Sequence, residues 1–450
     1  MASPSCGCQK RQRTHGLTRR HPCGRKGRRF GTEANHIVLT FAHPPAPGKM
    51  AKTAMAISAE HANGTPYTRP MSDVLELFTE LAAIPSPPGE ERAVADRVTT
   101  YLEALAVEVD EDDAGPRIGS DAGNLLARLP ATSPNGGVPI FLCAHLDTVL
   151  PTAALEPVVE DGVVRNAGGT ILGADNKAAV AAMLEAVRRV LADNRPHAGI
   201  ELLFTPKEEV GLRGAKAFDS SRLEADTGFV FDQGAPIGEV VLGAPYASQI
   251  EVVIRGRAAH AGMAPEEGRS AIAAASRAIA DLRLGRLDDE TTANVGLITG
   301  GTAKNIVPER CSFSIDVRSH SEQKLSGLVR EILATVTFAA ALEQCEAETT
   351  VEESYRGYRF NRGDLPVALA CAALRRAGVE PQLGLTGGGA DANVFNERGK
   401  ACVNLANGMM DIHTPDERIA VADLERMVEV TLALVEVARE NPAHAEDAAG

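Results

Sequence analysis

Hydrophobic positions fall without period through the first 70 residues, where Arg, Lys, Gly, Pro and Ser alternate and the only apolar run, Ile37 to Ala42, is short. A folded pattern begins at Ser72. Val74, Leu75, Leu77, Phe78 and Leu81 form one helical stripe behind a Ser72 or Asp73 cap. Ile84-Pro85-Ser86-Pro87-Pro88-Gly89 breaks that stripe, and a second helix is expected over Glu90 to Leu105. Beyond it, short apolar runs alternate with helical segments in βα order. Ile140 to Ala144, Ile200 to Phe204 and Phe229 to Phe231 read as buried strands, and Val180, Met183, Leu184, Val187, Val190 and Leu191 mark a helix between the first two. This order predicts an α/β fold with a mainly parallel sheet covered on both faces.

Between Ala247 and Glu353 the rhythm changes. Ile250 to Ile254 alternates, Ser270 to Leu282 is an Ala-rich helix, Val295 to Thr299 and Ser312 to Val317 read as strands, Glu322 to Leu342 as a helix, and Glu346 to Val351 as a last strand. That βαββαβ succession is ferredoxin-like. Residues 71–246 and 354–440 are therefore expected to form one discontinuous domain, with 247–353 inserted and 441–450 a disordered tail.

Charge sharpens the division. Residues 1–70 hold 12 bases and two acids, Glu33 and Glu60, for a net of +10; the remaining 380 hold 34 bases and 58 acids, for a net of −24. So acidic a body argues against a nucleic-acid or anionic-membrane partner, both of which repel it. The basic head cannot bury enough apolar surface to offset the entropy of ordering. It is expected to be disordered and dispensable, with translation starting at Met50, Met55 or Met71. Its Cys6, Cys8, His15, His21 and Cys23 match no standard zinc spacing.

Composition adds less: no Trp, 4% aromatic and 44% hydrophobic residues fit an Ala- and Val-rich α/β enzyme. No run reaches the roughly 20 apolar residues of a membrane span. Eight cysteines without paired spacing in the body predict a reducing, cytoplasmic setting.

The chemistry sits where the apolar runs end. His145 and Asp147 follow the first strand, at the carboxyl edge where open α/β sheets place their sites. His145 can ligate a metal through one ring nitrogen while Asp147 holds the other. Asp175, in Gly173-Ala174-Asp175-Asn176-Lys177, precedes a helix; alone it would read as an N-cap. Glu208 and Glu209 end the next strand as adjacent carboxylates, a pair that can divide metal binding from general-base work, although surface Glu pairs are common. Asp232 and His413 complete a set of two imidazoles and three carboxylates, suited to two divalent ions of zinc, manganese or cobalt.

Together, Ala144-His145-Leu146-Asp147-Thr148-Val149, Gly173-Ala174-Asp175-Asn176-Lys177, Thr205-Pro206-Lys207-Glu208-Glu209-Val210-Gly211 and Asp411-Ile412-His413-Thr414 resemble the motifs of the M20 metallopeptidases. Order and spacing are similar to the peptidase T-like branch of tripeptide aminopeptidases, from about Ser72 to Ala438. The resemblance implies that His145 and Asp232 hold one metal, Glu209 and His413 the other, and Asp175 both, most commonly zinc. It makes Asp147 the residue orienting His145 and Glu208 the general base. Asp232, where many carboxypeptidase and deacylase members carry Glu, favours short peptides as substrates.

The same resemblance makes 247–353 a lid or dimerisation domain. In it, His260 of Gly256-Arg257-Ala258-Ala259-His260-Ala261-Gly262 would stabilise the oxyanion, across an interface if the protein is a homodimer. Asn305 and Arg318 would contact substrate, Arg being suited to a bidentate grip on a carboxylate. Gly388, in the loop Gly387-Gly388-Gly389-Ala390-Asp391, would let substrate approach the backbone. Peptidase T has an Arg at the start of that loop where this chain has Gly387. The reaction class therefore carries over more firmly than tripeptide specificity; removal of an acyl group from an N-acyl amino acid is the first alternative, and a non-catalytic metal-binding relative the second, against which the intact Glu208 and five ligand types argue.

Overall fold

The computed structural model describes residues 73–133 and 136–441. The expectations for the basic head and its Cys and His cluster, and for residues 442–450, lie outside the described residues.

A nine-stranded sheet forms the larger layer. Its centre is four parallel strands in the spatial order β2, β1, β3, β4: β1 is Ile140–His145, β2 Ile200–Thr205, β3 Thr227–Gln233 and β4 Ala401–Ala406. The flanks depart from the parallel pattern. Leu125–Leu129 runs antiparallel to β2 and carries Val109–Glu111, while Glu239–Ala244 runs antiparallel to β4. Helix α1, Ala174–Ala192, joins β1 to β2.

Both faces are covered, and β1 shows why it reads as a continuous apolar run. Ile140, Leu142 and Ala144 enter one core with Val180, Met183, Leu184 and Val187 of α1 and with Leu424, Val428 and Leu434 of the helix Val421–Glu440. The alternate residues, Phe141 and Cys143, enter a second core with Phe218, Val394 and Phe395. Successive strand side chains point to opposite faces, so a strand buried twice has no polar side to spend. Phe141 lies over Gly228 of β3, its partner in register; a Cβ there would come within 2.0 Å of the ring. The ring then meets Phe395 edge-on, with centroids 5.2 Å apart.

A second sheet stands apart, with its own core of Ile250, Val252, Ile254, Phe313, Ile315, Val317, Leu328, Ile332 and Val336. Its long strands lie in the order Thr291–Gly300, Arg310–Ser319, Tyr246–Arg255, Glu346–Tyr355, all antiparallel, with the short Gly285–Arg286 at one edge. With the helices Ala271–Asp281 and Glu322–Leu342 on one face, this is the ferredoxin-like arrangement. The helix Glu322–Leu342 has the length and composition to cross a membrane, contrary to the expectation that no segment would. Leu325, Leu328, Ile332, Val336 and Ala339 recur at helical spacing and pack on the sheet, so its apolar side serves this core.

A third, small sheet was not legible in the sequence: Arg418–Ala420 pairs with Val163–Asn166, which pairs with Pro157–Glu160. It docks the segment after His413 beside the loop that leads into α1.

Candidate active site

Four loops converge at the carboxyl ends of the parallel strands. His145 is the last residue of β1 and only 2% exposed. Its Nδ1 lies 2.9 Å from the backbone oxygen of Asp147, which places the ring proton on Nδ1 and presents the Nε2 lone pair to the site. The Asp147 carboxylate is 3.5 Å from that same Nδ1. Its closer bonds run elsewhere: it accepts from the backbone N–H of Glu208 at 2.9 Å and of Glu209 at 3.1 Å. Wholly buried, Asp147 thus ties the end of β1 to the loop after β2.

Asp175 sits between the two imidazoles. Its Oδ1 is 3.1 Å from His145 Nε2, and its Oδ2 is 3.1 Å from His413 Nε2. Backbone angles at Asp175 and Asn176 are non-helical, so the regular turns of α1 begin after them and the carboxylate projects from the helix entrance. His413 holds a left-handed backbone, with φ of 63°, uncommon outside glycine, and also lies 3.1 Å from Glu209 Oε1. Asp232, near the end of β3, is 3.7 Å from His145 Nε2. Two groups result, each within 4.8 Å and sharing Asp175: His145, Asp175, Asp232 and Asp175, Glu209, His413.

The charges are arranged at considerable cost. Burial pushes the Asp232 carboxyl up to about 8, and the nearby Asp175 charge adds to it. Burial also raises Glu208 well above the carboxylate range, with Asp232 the next cause. Burial disfavours a charged His145, yet its bonds to Asp147, Asp175 and Asp232 win and raise it. Asp175 and then Glu209 hold His413 up to about 10. Four carboxylates, Asp175, Glu208, Glu209 and Asp232, thus gather about two imidazoles, the buried His145 and the exposed His413. This anionic oxygen and imidazole donor set fits divalent cations, which offset the excess negative charge.

The cleft beside them, about 440 Å³, is lined by Asp175, Glu208, Glu209, Asp232 and His413 on one side and by Gln249, Asp316, Arg318, Tyr355 and Gly388 on the other. Arg318 and Gly388 therefore line the same cleft as the metal-type cluster. Arg318 is braced: its Nε donates to both oxygens of Asp316, at 3.0 and 2.9 Å, and its Nη1 donates to the carbonyl of Gly387 at 3.1 Å. His260 and Asn305 are not among the residues lining the cleft. They adjoin each other on the ferredoxin-like unit, where the backbone N–H of Ala261 donates to the Asn305 carbonyl and His260 bridges Ile306. The exposed His260 ring accepts from the N–H groups of Gly262 and Met263 through Nδ1.

Sequence reading missed Glu417. Only 2% exposed, its carboxylate accepts from the backbone N–H groups of Leu172 and Gly173 through Oε2 and of Asp175 through Oε1, at 2.8 to 2.9 Å. It lies four residues after His413, so one side chain fixes the loop bearing Asp175 to the loop bearing His413. It also missed Asp391, wholly buried, which accepts from Thr205 Oγ1 at 2.5 Å beneath the site.

A doubly wound sheet with two adjoining groups of candidate metal ligands sharing one carboxylate, and a further Glu beside them, is the donor set of a metal-dependent hydrolase. Residues 141–437 match the model of peptidase family M20/M25/M40, and the chain belongs to that family. It is an enzyme of the peptidase class. Among curated proteins it is 39% identical over 365 residues to YqjE of Bacillus subtilis, covering 81% of this chain and 98% of that one. It is 28% identical to peptidase T of Escherichia fergusonii, covering 71% and 86%. Among solved structures it resembles aminopeptidase PepT from Bacillus cereus, with 40% identity, TM-score 0.74 and coverage of 81% and 98%. It also resembles a tripeptidase from Staphylococcus aureus, with 34% identity, TM-score 0.78 and coverage of 82% and 98%.

Proposed function

We propose that this protein removes amino-terminal residues from short peptides, tripeptides included, in the cytoplasm. The observation that carries the proposal is the placing of Asp175, whose two carboxylate oxygens face separate imidazoles while Glu208 lines the same cleft as Arg318. In this reading His145 and Asp232 hold one ion, Glu209 and His413 the second, and Asp175 both; zinc suits the donors best, with manganese or cobalt as substitutes. Two bound ions would supply an acidic water and polarise the scissile carbonyl.

The remaining work falls to side chains. Glu208 takes a proton from the attacking water as the new C–O bond forms, then delivers it to the amine nitrogen as the C–N bond breaks. Asp147 supports this by holding the backbone of Glu208 and Glu209 in place. Arg318 and the Gly388 loop receive the peptide's carboxylate side. The five described cysteines are free, which suits a reducing compartment.

The test is digestion of a panel of dipeptides, tripeptides, longer peptides and N-acyl amino acids, with zinc, manganese or cobalt added and products identified. Amino-terminal residues should be released from tripeptides. Turnover confined to N-acyl amino acids would replace the peptidase reading by the deacylase one.

A homodimer through the ferredoxin-like unit is part of the same proposal. Met263, Leu297, Ile298 and Ile306 are exposed large apolar residues on that unit, Met263 at 81% and Leu297 at 70%, and His260 and Asn305 lie among them. Pairing there would cover this surface and bring His260 to a partner's site as an oxyanion donor. Light scattering after size exclusion should give twice the chain mass of 47.3 kDa. A monomer that turns over peptides would remove the trans role of His260.

A further inference from the structure

Tyr355 lies at the cleft end of the strand Glu346–Tyr355, where the pairing with Tyr246–Arg255 slips by one residue between Glu353 and Tyr355. Without the slip, Ser354 would stand opposite Ala247 and Tyr355 would fall on the other face. The extra residue instead sets Tyr355 opposite Ala247, and on its other side Ala247 is in register with Arg318. Arg318, Ala247 and Tyr355 thus form one row across three adjacent strands, and all three line the cleft.

The row has the form of a slot. Strand spacing puts the Cα atoms of Arg318 and Tyr355 about 10 Å apart, and the methyl group of Ala247 between them leaves the interval open. The Tyr355 ring is fixed against the glycine loop: a Cβ on Gly389 would lie 2.3 Å from it. Its hydroxyl is buried and has no hydrogen-bond partner, which a buried polar group does not sustain without reason. Burial pushes the phenol up to about 12, so it remains a donor at neutral pH. Arg318, braced through Nε and Nη1, has no partner on Nη2 among the described residues.

We propose that the Tyr355 hydroxyl is a specificity-determining donor that shares the free C-terminal carboxylate of the substrate with Arg318 across the Ala247 floor. The assignment rests on the peptidase reading above and adds to it a preference for peptides with an unblocked C-terminus. Two donors of different kind, one charged and one neutral, would each bind one carboxylate oxygen.

The experiment compares steady-state kinetics of wild type and Tyr355→Phe on one tripeptide as the free acid and as its C-terminal amide, with thermal unfolding recorded for both proteins. Wild type should prefer the free acid. Tyr355→Phe should raise KM for the free acid about tenfold, as loss of a hydrogen bond to a charged group does, with kcat within about twofold. The amide should change by no more than about twofold. An equal loss on both peptides, or none on either, overturns the role of Tyr355. A wild type indifferent to amidation overturns it too while leaving the peptidase reading intact. Failure of wild type to cleave any peptide of the panel removes that reading and this one together.

Discussion

Glu208→Gln should retain both metal ions and lose kcat by about 10²–10⁴, the range spanned by general acid–base catalysis. Gln keeps the shape and can still accept a hydrogen bond from a water, but it cannot take up the proton that must leave that water. The backbone N–H of Glu208 would still be held by Asp147, so the loop should not move, and Glu209 on the same loop should keep its place as a ligand. KM should therefore stay within a few-fold of wild type. A loss of 10³ is about 4 kcal/mol of transition-state stabilisation. Burial and the Asp232 charge raise the proton affinity of Glu208, which suits a group that must hold a proton between the two steps. Metal content and kcat measured on the same preparation decide the matter. Near-normal turnover with two ions bound would sink the base assignment, and metal loss would make Glu208 a ligand instead.

How much of this was legible in the sequence depends on where each residue gets its partners. His145, Glu208, Glu209 and Asp232 announce themselves because polar groups interrupt apolar runs at strand ends, and Asp175 and His413 because they lie in recognisable motifs. Three of the central parallel strands, β1, β2 and β3, are legible for the same reason, being mostly apolar, whereas β4, with Asn404 within it, does not stand out. The antiparallel flanks are shorter and less apolar, and the sequence does not distinguish their direction. Glu417 was invisible because its three partners are backbone N–H groups more than 240 positions away, and a carboxylate in a polar turn looks solvated. Tyr355 was invisible because its face is set by a one-residue slip in register, and alternation along the strand gives the opposite answer. His260 and Asn305 are the reverse case, plain as motifs yet away from the cleft of their own chain. Their motif is local in the sequence, whereas a place in the cleft depends on how distant elements pack.

Asp175→Ala should lose both ions at once and with them nearly all activity. The geometry separates it from every other ligand candidate. His145 faces its Oδ1 and His413 its Oδ2, Asp232 lies beside His145 and Glu209 beside His413, and Asp175 alone belongs to both groups. Removing it leaves one imidazole and one carboxylate on each side, too few donors to compete with water for a divalent ion. His413→Ala, by contrast, should weaken one ion and leave the group of His145, Asp175 and Asp232 complete. Because bound ions stabilise only the folded chain, wild type and His413→Ala should show a rise in unfolding temperature on adding metal, and Asp175→Ala should show none. Glu417 accepts from the backbone N–H groups of residues 172, 173 and 175, all of which survive the substitution, so the loop keeps its anchorage and the loss is assignable to the carboxylate itself. Elemental analysis after dialysis against metal-free buffer gives the count directly. One ion retained by Asp175→Ala at wild-type affinity would show that the two sites do not share this residue.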